Sequence, residues 1–186
     1  DAIYDQFMAK FTTAVSELRL GCGLEKGTEI GPLINKKAID KVSNIVKHAL
    51  TQGAKLHLGG HVASLGERYY QPTILTNVTE KMDIAHQELF GPVTTVFRFS
   101  DEEDVITRAN NTPYGLAAYF YSRDNSRIWR VGEALEYGIV GVNEGIISTE
   151  VAPFGGIKES GNGREGSKYG IEDYLEIKYL CLGIDV

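Results

Sequence analysis

Residues 93–142 switch back and forth between two hydrophobic periods. Residues 93–99 read as a strand. Asp101 then stands as an N-cap before a helix at about 102–110, with Glu102, Glu103 and Asp104 in its first turn, where the helix dipole favours acids. Residues 115–122 read as a buried strand, and Asn125 or Ser126 opens a helix that runs to Tyr137 and stops at Gly138. Residues 139–142 form a further short buried strand. Strand, helix, strand, helix, strand is the order of a parallel sheet with helical crossovers, which are right-handed almost without exception. The expected fold class is therefore α/β with a parallel sheet.

The flanking segments fit the same class. A helix is expected at 3–19, with Ile3, Phe7, Phe11 and Ala14 on one face, ended by Gly21-Cys22-Gly23. Asn35 reads as the N-cap of a second helix carrying Ala38, Ile39, Val42, Ile45, Val46, Ala49 and Leu50, a 3.6-period stripe closed by Gly53. Strands follow at 55–58 and, interrupted by Pro72, at 69–75. Residues 143–166 are glycine-rich and lack either period, and a loop of that length inside a compact domain is usually functional. At 173–182 the alternation returns, with Tyr174, Glu176 and Lys178 against Leu175, Ile177 and Tyr179; a terminal strand is expected, whose exposed edge needs a partner.

Composition narrows the function classes. The 186 residues are 42% hydrophobic and 24% charged, which excludes a disordered chain, a collagen and a coiled-coil rod. A net charge of -6 argues against a broad nucleic-acid face, since phosphate binding needs clustered Lys and Arg. Apolar runs such as 116–121 are too short to span a bilayer. Two cysteines make no disulfide framework and suit a reducing compartment, so a cytoplasmic location is expected. The chain opens at Asp1, already inside a helical pattern, and reads as part of a longer protein.

Gly161-Asn162-Gly163-Arg164-Glu165-Gly166 fits G-x-G-x-x-G, but no buried strand precedes it and no second strand with an acid follows, so a turn-rich loop is the better reading. His48, His57, His61 and His86 have no partners at zinc spacing, and no metal site is expected. Cys22 has no histidine near it in sequence, Cys181 sits in the last strand, and no Ser-His-Asp arrangement is visible. Two places carry more. In Glu88-Leu89-Phe90-Gly91-Pro92 an acid stands at a strand entrance, where it can accept hydrogen bonds from a ligand hydroxyl; the same spacing fits a solvated carboxylate at a helix end. The loop after residue 142 lies where α/β sheets bind ligands, beyond the carboxyl end of a strand. There Ser148 and Thr149 offer hydroxyls and Phe154 an apolar wall, although an ordinary polar loop has the same composition.

Three segments together go further: Glu88-Leu89-Phe90-Gly91-Pro92; Pro153-Phe154-Gly155-Gly156-Ile157-Lys158-Glu159-Ser160-Gly161; and Gly163-Arg164-Glu165-Gly166. In that order and separation they resemble the aldehyde dehydrogenase superfamily, and the resemblance runs from Asp1 to Val186. The stretches at 115–122, 141–148 and 168–179 are similar to its bacterial succinate-semialdehyde branch.

The resemblance implies the catalytic-domain portion of such an enzyme over 1–172, of parallel-sheet α/β type, and an oligomerisation strand over 173–186. It implies Glu88 as the acid that hydrogen-bonds the nicotinamide ribose of NAD or NADP, and Phe90 as an aromatic near the nicotinamide. Ser148 matches a position that helps bind the carboxylate of a semialdehyde, and Phe154 a wall of the aldehyde tunnel. The family's nucleophilic Cys and general-base Glu lie upstream of Asp1; neither Cys22 nor Cys181 matches the nucleophile's motif, so no catalytic residue is assigned. In the intact enzyme a thiolate attacks the aldehyde, a hydride passes to the cofactor and water hydrolyses the thioester. The chain is expected to be inactive alone, to act on a small aldehyde in the intact enzyme and to form a homo-oligomer. The alternatives are another aldehyde specificity or a non-catalytic self-associating module.

Overall fold

A capped, amphipathic helix organises the first part of the chain. In the computed structural model, which describes residues 1–183, Asn35 adopts an extended conformation and its side chain accepts from the Ala38 amide at 3.0 Å. This satisfies one of the orphan N–H groups of helix α2 (Lys36–Thr51). Ile39, Val42, Val46 and Ala49 are buried, and Gly53 (φ +108°) takes the left-handed position just past the helix end. Against this stripe lie Tyr70, Leu75, Val78, Met82 and Ile84, the core of a first unit, Asp1–Ser100.

The sheet of that unit holds β1 (Lys55–Leu58), β2 (Thr73–Thr76) and β3 (Val93–Thr95) in the order β1-β2-β3. β2 is central, antiparallel to β1 and parallel to β3. Ile74 and Leu75, neighbours that point to opposite faces of β2, are both fully buried, so both faces of the sheet are covered there. The turn after β1 needs Gly59, because a Cβ there would stand 2.2 Å from the Pro72 carbonyl oxygen and φ is +72°.

Helix α1 (Tyr4–Glu17) forms where the pattern places it, but its buried face differs. Ile3 and Phe7 are 69% and 48% exposed, while Met8 is buried and Phe11, Thr12 and Val15 are half-buried. Apolar side chains ring much of this helix, so its period alone does not choose between neighbouring faces.

The second unit, Asp101–Val186, opens with α3 (Glu102–Asn110), whose cap Asp101 accepts from the Asp104 amide at 2.9 Å. Then come β4 (Tyr114–Gly115), β5 (Ala117–Phe120), α4 (Asn125–Ala134), β6 (Ile139–Val142) and β7 (Ile157–Lys158). The cap of α4 is Asp124, one residue before the expected opening. The two helices are clamped at both ends. Glu102 takes Arg127 at 2.7 Å and Arg130 at 2.6 Å, while the Asn110 side chain donates to the Ala134 carbonyl and accepts from the Glu136 amide. The Arg130 and Arg127 guanidiniums hold the Glu102 carboxyl down from 4.5 to about 2.

Two expectations are corrected. The alternation over 93–142 does not build one parallel sheet. β3 pairs with β2 inside the first unit, and the crossover β5-α4-β6 makes a two-stranded parallel sheet of its own. The expected strand at 115–122 is likewise divided: β4 pairs antiparallel with β7, and only β5 joins β6. Residues 173–183 pair with no strand among the described residues of this chain. Glu172–Tyr174 is a short 3-10 helix, and the rest carries no ladder, with Ile177 and Tyr179 at 100% and 86% exposed. Strand pairing needs a second set of backbone partners, and alternation of side chains supplies none. The last three residues of the expected 173–186 strand, 184–186, lie outside the described residues. Contacts divide the chain into two compact units between residues 100 and 101. No helix among the described residues is long and apolar enough to cross a membrane.

Candidate functional site

In the first unit, the loop into β3 presents side chains in alternation. Met82 and Ile84 are buried, and Leu89 packs against the core. These anchors leave Glu88 and Phe90 outward, with Phe90 78% exposed. Backbone bonds hold the loop: the Lys41 ammonium donates to the Glu88 carbonyl at 2.9 Å, and the Thr73 amide to the Pro92 carbonyl at 2.8 Å. The chain passes so close to α2 that a Cβ at Gly91 would sit 2.8 Å from Val42 Cγ2.

In the second unit, the carboxyl end of the β5–β6 pair is locked by one side chain. Asn143 (φ +57°) accepts from the Ser122 amide at 2.9 Å and donates to the Ser122 carbonyl at 2.7 Å, and its own amide bonds the Phe120 carbonyl at 3.0 Å. Asn is among the few non-glycine residues that tolerate this left-handed region. Glu144 follows, its Oε1 accepting from the amides of Gly145 at 2.8 Å and Ile146 at 3.1 Å. The Ile146 and Gly145 amides hold the Glu144 carboxyl below the usual range. Beyond these pins the loop carries Ser148 to the lip of a hollow of about 200 Å³, lined by Ala117, Tyr119, Ile139, Ser148 and Phe154. Two of the residues singled out from sequence, Ser148 and Phe154, thus share one concavity.

Phe154 also lines a larger hollow of about 850 Å³, with Leu116, Arg164, Glu165 and Asp173. Phe154 is fixed there by a two-way backbone bridge: its amide donates to the Glu165 carbonyl at 2.9 Å, and the Glu165 amide to the Phe154 carbonyl at 2.7 Å. Arg164 closes the loop from inside, donating to the carbonyls of Gly156 at 2.7 Å and Gly163 at 2.9 Å. A Cβ at Gly155 would stand 2.4 Å from the Gly163 oxygen. The G-x-G-x-x-G stretch therefore spends its close approach on its own backbone. It opens no α-helix, as a dinucleotide fingerprint would.

Cys22 and Cys181 are both exposed. His48 meets Asp83, His57 meets Thr12, and His61 and His86 bond backbone carbonyls. Among the described residues no group of three His, Cys, Asp or Glu side chains is placed to hold a metal. Sequence reasoning passed over Lys41, Asn143, Glu144 and Arg164. Only Asn143 had a legible signal, an Asn straight after a buried strand; the others act on backbone atoms whose positions come from folding.

The family model for the aldehyde dehydrogenase family matches residues 1–180. The chain belongs to the aldehyde dehydrogenase family. It is 59% identical over 184 residues to the NADP(+) succinate-semialdehyde dehydrogenase of Escherichia coli K12, covering 99% of this chain and 38% of that protein. It is 56% identical to the glutarate-semialdehyde dehydrogenase of Pseudomonas aeruginosa, covering 98% of this chain and 38% of that protein. Among solved structures, the succinate-semialdehyde dehydrogenase of Burkholderia pseudomallei superposes with a TM-score of 0.94 at 54% identity, covering 98% of this chain and 38% of the other. A Staphylococcus aureus betaine aldehyde dehydrogenase in complex with NAD+ reaches 0.89 at 36% identity, covering 95% and 36%. The chain thus spans little more than a third of the length of these aldehyde dehydrogenases.

Proposed function

We propose that these 186 residues are the C-terminal portion of an NAD(P)-dependent enzyme oxidising succinate semialdehyde to succinate. The observation that carries this reading is the shared hollow of Ser148 and Phe154, a hydroxyl beside an apolar wall, in a chain 59% identical to a succinate-semialdehyde dehydrogenase. The hydroxyl donates to the substrate's remote carboxylate, and the ring excludes water from its carbon chain. Identities of 55–56% to 3-sulfolactaldehyde and glutarate-semialdehyde dehydrogenases favour, as the second reading, another acidic aldehyde.

Glu88 and Phe90 fit a nicotinamide nucleotide. Glu88 offers an exposed acceptor for ribose hydroxyls, and Phe90 an open aromatic face, on a loop held by Lys41 and by Leu89 in the core. Bound there, a nicotinamide would supply the hydride acceptor. This chain's share is orientation, and misplacement by ~1 Å can cost ~100-fold in rate. The sulfur nucleophile belongs to another part of the protein, and the isolated chain is inactive. The exposed apolar tail at 174–182 supports a role in homo-oligomer contacts, and the cysteine usage supports a cytoplasmic setting.

The test uses the full-length protein that contains this chain. Succinate semialdehyde is turned over with a higher kcat/KM than uncharged aldehydes of similar length, and Glu88→Gln slows hydride transfer more than aldehyde capture in single-turnover kinetics. Equal kcat/KM for charged and uncharged aldehydes refutes the substrate reading. Equal slowing of both steps refutes the role of Glu88.

A further inference from the structure

The loop that carries Ser148 has little packing to hold its shape. Ile146 is 86% exposed, Gly145, Ser148 and Thr149 are exposed, and only Ile147 is half-buried. A segment with so few buried contacts samples many conformations unless polar bonds select one. At its far end the Thr149 and Glu150 carbonyls accept from the Ala152 and Ser167 amides. At its start two side chains select the conformation: that of Asn143 bonds the Ser122 backbone, and that of Glu144 turns back onto the two amides ahead of it. Both amides meet the same oxygen, Oε1, so one atom fixes the direction in which the chain leaves β6. At the same place a Cβ on Gly141 would stand 3.0 Å from the Glu144 carbonyl oxygen and 2.6 Å from Tyr119 Cδ1. The backbone of Glu144 is therefore seated tightly against β6 while its side chain reaches forward.

We infer that Glu144 is a positioning residue for substrate specificity, whose carboxylate pins the 145–148 turn so that Ser148 faces the hollow bounded by Phe154. This rests on the proposed reading of Ser148 as a contact for the substrate's carboxylate. Glu144 itself touches no reacting atom; its Oε1 is already engaged with the Gly145 and Ile146 amides. Its negative charge would also repel a substrate carboxylate. Its presence beside this hollow is therefore explained by the turn it holds and not by direct recognition. The geometry sets a demand on chemistry: an acceptor oxygen at the end of a side chain of this length. Gln meets that demand through its own Oε1, and Ala offers no acceptor.

The experiment takes the full-length protein with Glu144→Ala and Glu144→Gln, and Ser148→Ala as the reference. Two readouts are taken. Amide hydrogen exchange at Gly145 and Ile146 reports the pin directly, and steady-state kinetics with succinate semialdehyde and with an uncharged aldehyde report its consequence. Glu144→Ala is expected to speed exchange at both amides. It is also expected to raise KM for the semialdehyde by roughly tenfold, the equivalent of about 1.4 kcal/mol, with kcat and the uncharged aldehyde within about twofold. Glu144→Gln restores both readouts to near the parent values, which a loss of charge alone cannot do. Unchanged exchange in Glu144→Ala overturns the inference, as does faster exchange with an unchanged semialdehyde KM. In the second case Ser148→Ala separates the causes: if it raises KM, the pin fails alone, and if it does not, the reading of Ser148 fails with it.

Discussion

Replacing Asn143 tests the lock at the carboxyl end of the β5–β6 pair, because two effects at this residue can be separated. Its side chain makes a reciprocal pair with the Ser122 backbone, at 2.9 and 2.7 Å, and its backbone sits at φ +57°. A neutral hydrogen bond contributes ~0.5–1.5 kcal/mol net, and the lower end applies because Asn143 is exposed and water can take over each partner. Asn143→Gly removes both bonds but accepts the left-handed backbone, so a loss of about 1 kcal/mol is expected. Asn143→Ala removes the same bonds and keeps a Cβ in the left-handed conformation without the local bonding that lets Asn tolerate it, a further ~1 kcal/mol, for a total of about 2. The assay is urea unfolding of the chain followed by fluorescence of Trp129, the single tryptophan, which lies on α4 between the two strands. Equal stability of the Gly and Ala variants would show that the left-handed backbone carries no strain. A Gly variant as stable as the parent would show that the Ser122 pair contributes nothing.

Two further outcomes are expected. Gly59→Ala, whose Cβ would meet the Pro72 carbonyl oxygen at 2.2 Å with φ at +72°, is expected to destabilise the first unit by about 2 kcal/mol or more, read as a shift in urea midpoint by far-ultraviolet circular dichroism. The Glu102 carboxyl, lowered from 4.5 to about 2 by Arg130 and Arg127, contributes stability that is present above about 4.5 and lost as pH falls towards 2; Glu102→Gln should flatten that part of the stability profile, and an unchanged profile would show that the clamp contributes nothing.

The elements themselves were largely legible. Asn35 and Asp101 announced two helix starts because a short polar side chain before an apolar period has one economical use, satisfying the first free amides. The stripe from Ile39 to Ala49 announced a core face because only one side of that helix is apolar. Where the pattern was less one-sided, as along α1, the face was misjudged. In the site, Ser148 and Phe154 were legible as types in a suspicious loop and through a resemblance of motifs. The residues that shape that loop were not. Lys41 and Arg164 act on carbonyl oxygens distant in sequence or folded back, and Glu144 acts on amides that any residue type would supply.

Local chemistry, then, is written along the chain: caps, periods, turn glycines and the motifs that mark an aldehyde dehydrogenase follow from each residue and its near neighbours. Pairing is not. Which strand lies beside β2, whether β3 continues towards β5, and whether an alternating tail finds an edge depend on backbone groups that every residue carries alike, so side-chain pattern cannot encode them by itself. The same holds for the hollow behind Ser148: its wall, Phe154, is held in place by a bridge to Glu165, a contact that exists only once the chain has folded back on itself.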